Sequence, residues 1–181
     1  MICIHSRLVA MCFKKTKSSA KKQFEILGEI ISWANMYFED FSVDSKQETF
    51  GRTVTEADIV IFAGMTGANN PLFLDEEYAK RSYFGKRIAP GLLTLSIATG
   101  LAYQLPTGPF GEGFVALLGM SFRSTRPVFA EDTLKVLVTV KEKMPPKDGR
   151  GRVVLEMDVS NQSGESVMLV EANFLVRTKN S

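Results

Sequence analysis

The chain has 181 residues, 45% of them apolar and 23% charged, with a formal net charge of +2. That is an ordinary globular composition and one domain's worth of length, enough to bury a full core without disulfides or a structural metal. Six basic residues in the first 35 (Arg7, Lys14, Lys15, Lys17, Lys21, Lys22) face only Glu25 and Glu29, a balance of +4 that leaves −2 for the remainder, so the body is not a nucleic-acid surface.

From the start, Met1 to Phe13 is apolar but broken by His5, Ser6 and Arg7, and most of the charge follows it, a poor secretory pattern. Cys3 and Cys12 match neither a zinc nor a redox spacing; no metal and no cofactor are expected, and a core without cysteine fits a reducing, cytoplasmic setting. No run approaches the roughly 18 apolar residues that a membrane span needs. Over Gln23 to Trp33, Phe24, Ile26, Leu27, Ile30, Ile31 and Trp33 recur at helical spacing opposite Lys22, Glu25 and Glu29, which predicts an amphipathic helix prefixed to the domain. The expected division is therefore a basic arm with its helix, residues 1–35, and a domain over 36–181.

Within the domain, Glu48 to Thr53 reads as a short strand. Thr55 and Asp58 form a T-x-x-D capping box that opens a helix through Ile59, Phe62 and Met65. Asn70-Pro71 is expected to stop that helix, and Asp75 to cap a short charged one over Glu76 to Arg81. The stretch from Pro90 to Leu105 carries no charge and predicts a buried helix. Four strand-like segments follow, near 114–123, 133–143, 152–161 and 166–178, separated by turn chemistry at Arg126-Pro127, at Pro145 to Gly149 and at Asn161 to Gly164. One buried helix and a meander of long strands is an α+β design in which the sheet must curl around the helix.

The loop Gly67-Ala68-Asn69-Asn70-Pro71-Leu72-Phe73-Leu74-Asp75, followed by Ile88-Ala89-Pro90-Gly91, carries a resemblance. It is similar to the MaoC-like hotdog proteins, typified by (R)-specific enoyl-CoA hydratases, whose loop reads Gly-Asp-x-Asn-Pro-x-His-x-Asp and whose helix entry reads Ile-Ala-His-Gly. The resemblance implies a hotdog fold, an antiparallel sheet around a central helix, a homodimer, and an acyl-CoA or acyl-carrier thioester as ligand. It places Ala68 at the catalytic Asp, Phe73 at the catalytic His and Pro90 at a second His. Hydration of an enoyl thioester needs groups to activate water and to move the proton. Ala68 and Phe73 have no titratable atom, and His5 is the only histidine.

The binding residues survive better. Gly91 opens the central helix, where unpaired backbone N–H groups and the helix dipole suit a thioester oxygen. Thr99 stands where the resembled hydratases often have a pocket serine, and Asn70 keeps the family's Asn before Pro. Phe73 and Pro90 would line a greasier pocket, and Arg87, with Lys86 and Arg81, would meet the phosphates of CoA. Asp75, at the family's second acidic position, is the remaining catalytic candidate and also reads as a plain N-cap. Three functions stay open: a thioester-binding protein without the catalytic pair, a hydratase or dehydratase using other groups, and a non-catalytic structural subunit of an acyl-CoA-metabolising complex.

Overall fold

The structure, a computed structural model, describes residues 36–105 and 111–180. The predicted amphipathic helix therefore lies outside the described residues. Among the described residues a 3-10 turn (Phe38–Asp40), six antiparallel strands and four α-helices form the body: β1 (Lys46–Glu48), β2 (Arg52–Thr53), α1 (Glu56–Thr66), α2 (Pro71–Leu74), α3 (Glu76–Lys80), α4 (Gly91–Ala102), β3 (Phe114–Ser124), β4 (Thr133–Lys147), β5 (Arg150–Ser160) and β6 (Ser166–Arg177). The sheet order is β1-β4-β5-β6-β3, with β2 also on β4. This is the expected α+β arrangement of a curled sheet around one helix.

Period-two alternation sets the inner face. Val136, Val138 and Val140 of β4, Val153, Leu155, Met157 and Val159 of β5, and Val170, Ala172, Phe174 and Val176 of β6 are all buried. Against them α4 turns Leu93, Ile97, Ala98, Leu101 and Ala102. The charge-free helix is thus central, but it is shorter than expected, and Leu92 on its other side is 56% exposed. On the sheet's outer face Glu156 and Glu171 stand directly opposite each other. Lys141 reaches both, at 3.5 and 2.6 Å, which removes the repulsion that two facing carboxylates would otherwise suffer.

The local signals hold in part. Thr55 caps α1, taking the Asp58 N–H on its hydroxyl at 3.1 Å, while Asp58 takes the Thr55 N–H at 2.8 Å. Partial burial pushes the Asp58 carboxyl up, but the Thr55 N–H and hydroxyl and the Arg52 guanidinium outweigh it and hold the group below the ordinary carboxylate range.

Three expectations are corrected. The strand over 48–53 is two short pieces, because buried Thr49 takes the Val136 N–H on its own hydroxyl at 3.0 Å and breaks the run. Gly67, at φ 72°, ends α1, not Asn70-Pro71; Asn70 instead caps the next helix, accepting the Leu72 N–H at 3.0 Å. Pro145 and Pro146 lie inside β4 and only Asp148-Gly149 turns, both with positive φ (53° and 72°) as a tight hairpin demands. The prolines are tolerated because β1 and β2 pair with β4 only between Thr133 and Thr139, so the outer side of β4 carries no strand where the prolines stand.

Before β1 the chain crosses the top of the sheet. Phe38 lies over Gly151, and the Lys143 ammonium sits 4.4 Å from the Phe38 ring centroid and donates to the Phe41 carbonyl at 2.6 Å. The C-terminal end returns to this crossing, where the Lys179 N–H donates to Glu39 at 3.1 Å and its ammonium meets Asp40.

Candidate functional site

The loop between α1 and α3 is built from successive caps. Asn70 caps α2, the Phe73 N–H donates to the Asn70 carbonyl at 2.9 Å, and Asp75 caps α3 by accepting the Tyr78 N–H at 2.9 Å. The Ile88 N–H donates to the Leu72 carbonyl at 3.2 Å, tying the loop to the strand-like entry of α4, and the Ala89 N–H donates to Val128 at 2.7 Å. Ala68 is half-buried, and half-buried Phe73 packs on the core cluster. No imidazole lies among the described residues, and Asp75, exposed, is occupied as a cap.

Arg87 holds this loop together. Its guanidinium donates to Glu56 at the start of α1 (2.6 Å) and to Glu76 at the start of α3 (3.0 Å), with its side chain only 20% exposed. The neighbouring Lys86 lies 4.0 Å from the Phe129 ring centroid. Two donors of Arg87 are thus already taken by carboxylates. Thr99 is half-buried, and its hydroxyl donates back to the Leu95 carbonyl at 2.8 Å. Burial pushes the Tyr103 phenol up.

At the N-terminal end of α4 a cavity of about 280 Å³ opens. Gly91, Thr94, Ser124, Thr125 and Arg126 give it a polar side; Phe84, Ile88, Val128, Val167 and Met168 give it an apolar one. Thr94 is buried, and its hydroxyl reaches only as far as the Pro90 carbonyl at 3.4 Å, a long bond for a hydroxyl donor. Of the residues expected to bind ligand, Gly91 lines this cavity, whereas Asn70, Phe73, Arg87 and Thr99 stand outside it and Pro90 is buried as the N-cap of α4. Thr94, Ser124 and Arg126 are the polar groups that sequence reasoning passed over. The available signals were one of the few hydroxyl residues in an apolar helix and the Arg126-Pro127 pair, which the sequence offers as turn chemistry.

A single-layer antiparallel sheet wrapped on one central helix, with a short-helix loop feeding the helix's N-terminus, defines a hotdog protein. A Mycobacterium tuberculosis protein with a double hotdog fold shares this architecture at a TM-score of 0.70 and 19% identity, over 81% of this chain and 45% of that one. The chain belongs to the family of the MaoC like domain, whose model matches residues 40–163. An (R)-specific enoyl-CoA hydratase of Rhodospirillum rubrum is 32% identical over 146 residues, 75% of this chain and 92% of the relative. The solved monoamine oxidase regulatory protein of an Archaeoglobus is 38% identical with a TM-score of 0.75, covering 81% of this chain and 98% of its own.

Proposed function

We propose that this protein binds an acyl thioester at the N-terminus of α4 without catalysing family-type hydration. The observation that carries this reading is the loop itself: it keeps its caps and its link to α4, yet at Ala68 and Phe73 it presents only carbon. Binding is supported by the Gly91 cavity, which offers backbone N–H groups and hydroxyls to a carbonyl oxygen and an apolar wall to an acyl chain. The reading places the protein in the cytoplasm, where acyl thioesters are handled; no helix among the described residues is long and apolar enough to cross a membrane.

Gly91→Ala tests the site without disturbing the fold. A methyl there would lie 3.6 Å from the Ser124 hydroxyl and 3.8 Å from the Phe122 ring, ordinary contacts, yet it intrudes on the cavity. Saturating short-chain acyl-CoA is expected to raise the melting temperature of the wild type, since a ligand at a hundred times its Kd adds about 2.7 kcal/mol. The variant should melt as the unliganded wild type does and show no ligand shift. A shift of wild-type size in Gly91→Ala would remove the site from this cavity.

The homodimer belongs to the same proposal. Among the described residues β3 pairs only with β6, leaving one edge of an 11-residue strand open. Pairing with a second copy about a two-fold axis removes that edge from both. Light scattering is expected to give twice the 20.1 kDa chain mass at micromolar concentration, and a monomer there would refute the pairing.

A further inference from the structure

We propose that a second cavity, at the C-terminal end of α4, takes a neutral aromatic molecule about the size of two fused rings. Between the last turn of α4 and the end of β1 the chain leaves a space of about 380 Å³. Leu101, Leu105 and Phe50 give it apolar walls, and Gln104 brings a side-chain amide to it. It is separate from the Gly91 cavity, because Leu101 lies about 15 Å along α4 from Gly91.

Size and shape select the ring system. A dry apolar cavity of about 150 Å³ already takes benzene, so this space suits a larger molecule and falls in the range of small-ligand sites. Phe50 stands at its rim, 88% exposed, on a backbone that buried Thr49 holds in place. The Thr49 N–H donates to the Val136 carbonyl at 2.9 Å, and its hydroxyl takes the Val136 N–H at 3.0 Å while donating to the Phe50 carbonyl at 2.9 Å. An aromatic ring anchored in this way offers a face or an edge to a flat ligand seated on the two leucines.

Charge then narrows the class. Of the residues lining the cavity only Glu48 is ionised, and Lys135 meets it at 3.4 Å. The helix that ends here turns its carbonyl end toward the space, the negative pole of its dipole. A carboxylate is therefore opposed twice, by Glu48 and by α4. A hydroxyl or N–H donor is not, and the Gln104 side-chain carbonyl can accept from it. The two ends of α4 thus suit opposite chemistries: an oxygen acceptor at Gly91, a neutral donor at Leu101.

Titration of the full-length protein with 2-naphthol, followed in proton–nitrogen correlation spectra, tests the site. Shifts should gather on the amides of 47–50 and 101–105 and leave those of Gly91, Thr94 and Ser124 in place. 2-Naphthoate, the same rings with a carboxylate in place of the hydroxyl, should bind about tenfold more weakly or worse. Phe50→Ala should weaken 2-naphthol by about three- to tenfold, the worth of one aromatic contact. Its melting curve should match the wild type's, since the side chain it removes is exposed. No binding of 2-naphthol, shifts centred on Gly91, equal affinity for 2-naphthoate, or full affinity in Phe50→Ala would each overturn the assignment. So would a fall in light-scattering mass on Phe50→Ala, which would give this surface to a second copy.

Discussion

Wild-type protein is expected to hydrate crotonyl-CoA little faster than buffer does, while Ala68→Asp combined with Phe73→His raises the rate and either change alone does not. The reaction needs one group to take a proton from water and another to manage the proton at the neighbouring carbon; such assistance contributes about 10² to 10⁴ in rate. The loop that would carry both groups is otherwise intact. Asn70 still caps α2, Asp75 still caps α3, and Arg87 still bridges Glu56 and Glu76. Introduced side chains would therefore arrive on an ordered backbone. Because the two groups act as a unit, each single variant lacks a working partner, and the gain should be strongly non-additive. The measurement is the loss of the enoyl thioester's absorbance with time. Robust hydration by the wild type would overturn the argument from missing residues and send attention to the cavity hydroxyls of Thr94 and Ser124.

Features written in neighbouring residues were legible in the sequence. The T-x-x-D box at Thr55, the Asp75 cap and the alternation along β4 to β6 each arise from side chains a few positions apart, so the physics that makes them is visible without the fold. The family, too, was readable, because the loop and the entry to α4 are contiguous. What the chain concealed is long-range. Thr49 breaks its strand only because Val136 offers an N–H to its hydroxyl. The two prolines of β4 are harmless only because β1 and β2 stop short of them. The Gly91 cavity takes residues from the entry to α4, from α4 itself, from the end of β3 and the turn after it, and from the start of β6, and no spacing rule joins those segments. Arg87 looked like a free cation beside the loop because its carboxylate partners, Glu56 and Glu76, are 31 and 11 residues away.

The same concealment applies to Gly151, and there it has the largest expected effect on stability. A methyl at this position would sit 2.8 Å from Cγ of Phe38 and closer still to Cδ2 and Cε2, so the ring must leave its place over β5. Gly151→Ala is therefore expected to lose about 1 to 3 kcal/mol, the usual range for overpacking. Phe38→Ala, which empties a site now 9% exposed and removes the ring beneath Lys143, is expected to lose about 3 to 5 kcal/mol. If the clash is the cause, the double variant should be less destabilised than the sum of the two, because the alanine methyl then meets vacated space. Urea unfolding of the four proteins measures this coupling. Strict additivity would mean that Gly151 is required for another reason, such as the local strand geometry, and that Phe38 does not hold the crossing that carries the chain from Met36 into β1.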